Sequence, residues 1–279
     1  MLRKLNTLFL PSIKKADCIV QICTFLEYER KFRQGKCSLF GEKYKEIPDR
    51  DFMALKYNIK LFSENKISVK DDFSMILIIT VNGYLENEEH IKYLRSINGM
   101  TVGNNVNIIT FQRPNIGYQW GGLYDIWLRY KDINCGWFGS LEHDHYFRHS
   151  EWFDIAMNHM GRQPPNVKNI GMNQTSKSFN PYEYCGKKIP KEAWKDKNNE
   201  VIEGIREDDL IHSSGGGYFC HRDLLRDMEN AYGCFTFSID NDYIFDGIVL
   251  GEVGFCQKIK SLGYDWTYTE PNFIEPMGI

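Results

Sequence analysis

The chain has 279 residues, with 34 Lys and Arg against 37 Asp and Glu, and a formal net charge of -3. That length suits one large α/β domain or two small ones, and 42% hydrophobic residues suffice for a sizeable core. The balance lacks the basic footprint of a nucleic-acid binder, and no apolar run approaches a membrane span. Eight cysteines without a C-x-x-C pair fit the reduced, buried thiols of a cytoplasmic protein rather than a disulfide framework.

Residues 1–74 read as an N-terminal extension, partly helical. Lys and Arg exceed acids over residues 1–36, which suits a solvated helical face or weak contact with an anionic membrane surface. Cys18–Leu26 (CIVQICTFL) can be a strand or a short helix, because periodicity does not decide so short a run. Glu42–Asp72 is a charged lead-in, irregular or helical.

From residue 75 the pattern sharpens. Met75–Val81 (MILIITV) has the β-branched, apolar character of a strand buried on both faces, and Asn82-Gly83 ends it. Glu86–Ile97 reads as an amphipathic helix with Ile91, Leu94 and Ile97 on one face. Val106–Phe111 is a second strand, so this β-α-β unit implies a parallel sheet. Gly121–Tyr130 reads as a helix, Cys135–Leu141 as a third strand and Ser150–Met160 as a helix. Gly161–Asn199 has no clear period and reads as a long loop of the kind used as a functional lid. Ser213–Cys220 leads into a short strand, and helices follow over His221–Ala231 and Asp246–Leu262. A last strand covers Trp266–Glu270. The alternation gives an α/β domain, residues 75–279, with a mainly parallel sheet flanked by helices.

Five segments carry candidate chemistry. Leu141-Glu142-His143-Asp144-His145 follows a buried strand, and ligands of open α/β sheets bind beyond the carboxyl ends of strands. Carboxylate oxygens there suit Mn²⁺ or Mg²⁺ bridging a diphosphate, although acids after a strand also cap helices. His143, His145 and His149 permit a zinc site as an alternative, without further histidines at suitable spacing. Thr80-Val81-Asn82-Gly83 forms a turn that lets the backbone approach a base. Arg113-Pro114-Asn115-Ile116-Gly117 precedes Gly121-Gly122, where helix N–H groups can meet a phosphate or the glycines simply form a turn. Gly215, Gly216 and Gly217 before an aromatic strand suit close approach to a ligand. Glu252 can act as a general base within reach of a hydroxyl.

In order and spacing these segments resemble family 2 glycosyltransferases and close GT-A relatives, whose fold is a Rossmann-like sheet flanked by helices. ILIITVNGY is similar to the first nucleotide-binding strand and RPNIGYQWGGLYD to the N-x-G segment. WFGSLEHDHYF is similar to the D-x-D strand, GGGYFCHRDLL to the acceptor strand, and GEVGFCQKIKSLGY to the acidic E-D segment. The resemblance spans about residues 75–270. It implies that Thr80 and Asn82 lie near the base, with Arg113 and Asn115 also on the nucleotide. It implies Asp144 as metal ligand, with Glu142 on the ribose or the metal, and Glu252 as the base of an inverting reaction. Gly251 and Gly254 stand where the family has further acids, so Asp246, Asp240 and Asp242 are the next candidates. The implied donor is a nucleoside-diphosphate sugar, UDP before GDP, and the acceptor a glycan hydroxyl. A catalytically silent nucleotide- or glycan-binding protein is the alternative. A nucleotidyltransferase would need a Gly-rich, Lys/Arg-bearing loop after its first strand, whereas NGYLENEEH is acidic.

Overall fold

A computed structural model of the chain describes residues 13–26, 49–64, 72–143, 145–147, 149–171, 176–179, 195–196, 198, 200, 210–213, 217–235, 243–269 and 274–276. Its centre is a strand of the segment read as an extension. Strand β1 (Cys18–Thr24) is buried at every residue. It pairs in parallel with β2 (Met75–Asn82) on one side and with β5 (Trp137–Glu142) on the other. The boundary at residue 74 therefore does not divide the structure, because the strand nearest the middle of the sheet lies before it.

Helix α1 (Arg50–Ser63) connects β1 to β2, and α2 (Glu88–Ile97) leads to β4 (Val106–Arg113), which pairs in parallel with β2. The short β3 (Thr101–Val102) lines the outer edge of β4, antiparallel to it. Helix α3 (Tyr118–Tyr130) then returns the chain across the sheet to β5. The sheet continues through β10 (Gly217–His221), β7 (Val167–Gly171) and β11 (Asp265–Tyr268), in the order β11-β7-β10-β5-β1-β2-β4-β3. Strand β10 runs antiparallel to both β5 and β7. The α/β class with a parallel central block is as expected. Within that block, β4-β2-β1-β5 has the order of a doubly wound nucleotide-binding half, and it reverses direction between β1 and β5.

Side-chain alternation divides the core. Cys18, Val20, Ile22, Leu77 and Ile79 meet Leu55, Ile59 and Phe62 of α1, Ile91 and Leu94 of α2, and Trp152 of α4 (Trp152–Met160). On the other face Ile19, Ile76, Ile78 and Phe138 meet Trp120, Leu123 and Trp127 of α3. Leu224 and Met228 of α5 (Arg222–Tyr232) and Phe255 of α6 (Gly254–Ser261) complete that side. Helix α6 continues a π-helical segment, Tyr243–Val253, so the predicted helix over Asp246–Leu262 is one run in two geometries.

The stretch predicted as a lid contains β7, an inner strand of the sheet, and β8 (Ser176–Phe179), which forms a separate ribbon with β9 (Leu210–Ser213). Strand β7 offers only Val167 and Ile170 as large apolar residues, and its buried Asn169 accepts a hydrogen bond from Cys220 Sγ of β10. A second ribbon joins β6 (His145–Phe147) to β12 (Ile274–Pro276). None of the described cysteines is disulfide-bonded. Among the described residues no helix is long and apolar enough to cross a membrane.

One buried carboxamide ties the middle of the sheet to α3. Gln21 Nε2 donates to Gln119 O and to Ser140 Oγ, both at 2.9 Å, and Thr80 Oγ1 donates to Gln21 Oε1 at 3.1 Å. Gly122 lets the helix come this close, since a Cβ there would lie 2.5 Å from Gln21 Oε1 and 3.1 Å from Thr80 Cγ2. Gln21 is pinned by three hydrogen bonds and cannot yield cheaply. Gly122→Ala should therefore cost about 1–3 kcal/mol through overpacking, visible as a melting temperature lowered by several degrees. Gly161→Ala, where the nearest atom would be Met157 O at 3.5 Å, should leave the melting temperature essentially unchanged.

Candidate active site at the carboxyl edge of the sheet

The carboxyl ends of β1, β2, β4 and β5 lie side by side, with Cys23 in register with both Thr80 and Glu142, and Asn82 with Arg113. A row of polar side chains on the α3 face links them. Asn82 Nδ2 donates to Cys23 Sγ at 3.0 Å, and its Oδ1 accepts from Arg113 Nη1 at 2.7 Å. Arg113 Nε donates to Asp125 Oδ2 of α3 at 2.6 Å, and Nη2 to the Ile116 carbonyl at 2.9 Å. Cys23 is wholly buried, and burial followed by the nearby Glu142 carboxylate pushes its thiol pKa up, against the opposing effects of Arg113 and the Asn82 hydrogen bond. It is an uncharged, inert link rather than a nucleophile.

These contacts settle where several predicted residues sit. Thr80, expected near a base, is fully buried beneath α3 and bonded to Gln21, so it belongs to the floor of the site. Asn82 is buried with both ends of its amide engaged. Arg113 is buried too, and three of its N–H groups are committed to Asn82, Asp125 and Ile116. These internal bonds hold the edge together. The glycine pair opens no phosphate loop. Gly121 and Gly122 lie inside α3, and a Cβ on Gly121 would be 2.0 Å from the Ile116 carbonyl oxygen.

Asn115 differs from its neighbours. Both polar atoms of its side chain are buried and have no hydrogen-bond partner. The loop bearing it ends in two residues with left-handed backbone, Gly117 (φ 69) and Tyr118 (φ 49), which open α3 without a side-chain cap. Tyr118 is buried and meets Phe25 with ring centroids 5.9 Å apart. Phe25 follows β1, as does no residue singled out from sequence. Thr24, the last residue of β1, is fully buried and its Oγ1 also has no partner. The nine-residue, mostly apolar run CIVQICTFL, interrupted by Gln21 and Thr24, is the signal that pointed to this strand.

Glu142, half-buried, ends β5 on the α3 face. Asp144 and Gly216 lie outside the described residues, as do Asp240 and Asp242, and the side chain of Asp246 does as well. Gly217 begins β10 opposite Leu141. The next residue, Tyr218, pairs with Ser140, two positions before Glu142. Its phenol is raised well above the ordinary range, by burial first, then by Cys256 and by the Glu252 carboxylate. Glu252, half-buried at the end of the π-helical segment, therefore stands near the strand next to Glu142. Glu142, on β5, and Glu252, on the helical segment close enough to Tyr218 to raise its phenol, thus lie toward the same side of the sheet.

The histidines that permitted zinc are arranged otherwise. His143 is buried, with Nε2 2.8 Å from Asp51 Oδ1 and Nδ1 3.3 Å from the Cys23 carbonyl. Among the described residues no group of three His, Cys, Asp or Glu is placed to hold a metal ion.

No family model matches the chain, and no curated protein matches it. Among solved structures it is similar to 4-diphosphocytidyl-2C-methyl-D-erythritol synthase of Anaerococcus prevotii, at 12% identity over 95% of this chain and 93% of that one, with a TM-score of 0.39. It is similar to residues 1–349 of S. aureus TarS at 11% identity, covering 84% of this chain and 54% of that one, with a TM-score of 0.38. A third is CMP:2-keto-3-deoxy-manno-octonic acid synthetase complexed with CTP, at 9% identity over 91% and 89%, with a TM-score of 0.41.

The Arg113 fork makes a definite prediction. Arg113→Lys keeps the charge but cannot reach Asn82, Asp125 and Ile116 at once. Leaving buried acceptors unpaired should cost about 1–3 kcal/mol. Urea denaturation should show a lower midpoint at an unchanged slope; an unaltered midpoint would mean that the edge does not depend on the fork.

Proposed function

We propose that the protein is a metal-dependent glycosyltransferase, moving a sugar from a nucleoside-diphosphate sugar (UDP first, GDP next) to a glycan hydroxyl. One observation carries the reading. The turn that follows Glu142 leaves β5 beside β1, at the point where the strand order reverses, and ligands of open α/β sheets bind in that crevice. Glu142 and Asp144 would hold Mn²⁺ or Mg²⁺. Two carboxylates suit such ions, which keep further positions for substrate phosphates. When bound, the cation offsets the charge that grows on the departing diphosphate.

The chain's own residues would do the rest. Asn115, with an unpaired buried amide, has a donor and an acceptor that a nucleotide can satisfy. Glu252 would take the proton from the acceptor hydroxyl. The oxygen then bonds to the anomeric carbon, the bond from that carbon to the diphosphate breaks, and the nucleoside diphosphate leaves with the bonding electrons. The placement of Glu252 near β10, the neighbour of β5, supports this role.

A specific observation favours a second reading, nucleotidyl transfer. The acidic loop NGYLENEEH follows β2, not the strand at the reversal point. That strand is β1, and the sequence after it carries Arg30, Lys31, Arg33 and Lys36 around Gly35. A basic, glycine-bearing segment in this position suits a nucleoside triphosphate.

The two readings release different products. With Mn²⁺, UDP- or GDP-sugars and a panel of glycan acceptors, the first expects free nucleoside diphosphate, lost in Asp144→Ala. With nucleoside triphosphates and sugar phosphates, the second expects pyrophosphate. Pyrophosphate without any nucleoside diphosphate would replace the first reading by the second. Nucleotide binding with neither product would identify a catalytically silent binding protein.

A further inference from the structure

Helix α1 lies in the part of the chain for which sequence reading found no role. Its Asn58 is fully buried. Asn58 Nδ2 donates to the His143 carbonyl at 3.0 Å and to the His145 carbonyl at 2.8 Å. One amide nitrogen thus ties the backbone on both sides of residue 144. The turn is held a second time through His143, whose backbone N–H donates to Cys23 O at 3.1 Å. The His143 ring also reaches back to α1, with Nε2 2.8 Å from Asp51 Oδ1. Asp51 and Asn58 are seven residues apart, two helical turns, so one face of α1 presents both to the same turn.

The choice of residue is informative. Asn58 Oδ1 is buried without a hydrogen-bond partner. A leucine, with the same heavy-atom branching but bulkier methyl groups, would extend the neighbouring apolar core of Leu55, Ile59 and Phe62 without that unsatisfied acceptor. What leucine lacks is the pair of N–H groups that meet the two carbonyls.

We propose that Asn58 is a positioning residue for the metal–nucleotide site: α1, through Asn58, fixes the backbone that carries Asp144. The proposal rests on the assignment of Glu142 and Asp144 made above. Groups that orient metal-ligating residues typically change metal affinity about 10- to 100-fold when removed.

The test uses the full chain and three variants. Asn58→Leu removes both donors and keeps the branched outline of the side chain. Asn58→Ser, which can donate only once, serves if the leucine variant does not fold. Ile59→Val perturbs the core side of α1 without touching the turn. Hydrogen exchange of the peptide spanning residues 142–147, followed by mass spectrometry, reads the turn itself. Calorimetry with UDP and GDP, with and without Mn²⁺, reads the site. The Asn58 variants should show faster exchange in that peptide and Mn²⁺-dependent nucleotide affinity weaker by about tenfold or more, while Ile59→Val changes neither. Unchanged exchange, or equal losses in Ile59→Val, overturns the positioning role. If the unaltered protein shows no Mn²⁺-dependent nucleotide binding, the transferase reading falls, and exchange still decides whether Asn58 holds the turn.

Discussion

Gln21 occupies the middle of the most central strand, with its carboxamide wholly removed from water. An amide in that position is tolerated only if its hydrogen bonds are met inside the protein. Ser140 on β5, Thr80 on β2 and the Gln119 carbonyl of α3 meet them. The three partners belong to three elements far apart in sequence from one another. Satisfying one side chain therefore aligns β1, β2 and β5 and brings α3 down onto them at a fixed depth. That depth excludes a side chain at position 122, and so accounts for a glycine within a helix that it weakens.

The same alignment decides what the carboxyl edge can present. Because α3 sits close, Asp125 reaches Arg113, and Arg113 reaches Asn82, which reaches Cys23. The basic side chain at this edge is thereby bound within 2.6 Å of a carboxylate. Glu142 and Glu252 add negative charge to the same face. To a diphosphate approaching such a surface Arg113 is a committed cation, its charge already offset by Asp125. In the proposed reaction a divalent ion held by carboxylates would offset the charge that a diphosphate brings to this face.

The readable parts of the sequence were those whose physics is local. MILIITV is apolar at every position but Thr80 and can be little else than a strand buried on both faces, and helix α2 has its apolar residues on one stripe. Strand β1 was ambiguous because Gln21 interrupts a short run, and the partners that neutralise its cost lie 59 and 119 residues away. Strand β7 was missed for a related reason. Its buried Asn169 accepts from Cys220 across the sheet, and its two large apolar residues leave no period to read. Thr80 and Asn82 have the residue types of a ligand-binding turn and are spent on internal bonds. At the level of composition, a polar side chain that contacts a ligand and one that satisfies a neighbour look alike.

The largest consequence comes from taking β2 for the first strand. Motif order along the chain survives such an error, because each later segment still follows the one before it. Topology does not survive it. In a sheet that winds outward in both directions, the crevice belongs to the strands flanking the reversal, here β1 and β5, and β2 stands one place away. The sequence that matters is then the one following β1, which is basic, and not the acidic NGYLENEEH following β2. Both readings of the reaction keep the turn after β5 as the metal site. They part on what the basic sequence after β1 holds, so the choice between sugar and nucleotidyl transfer rests on a segment whose importance follows from strand order alone.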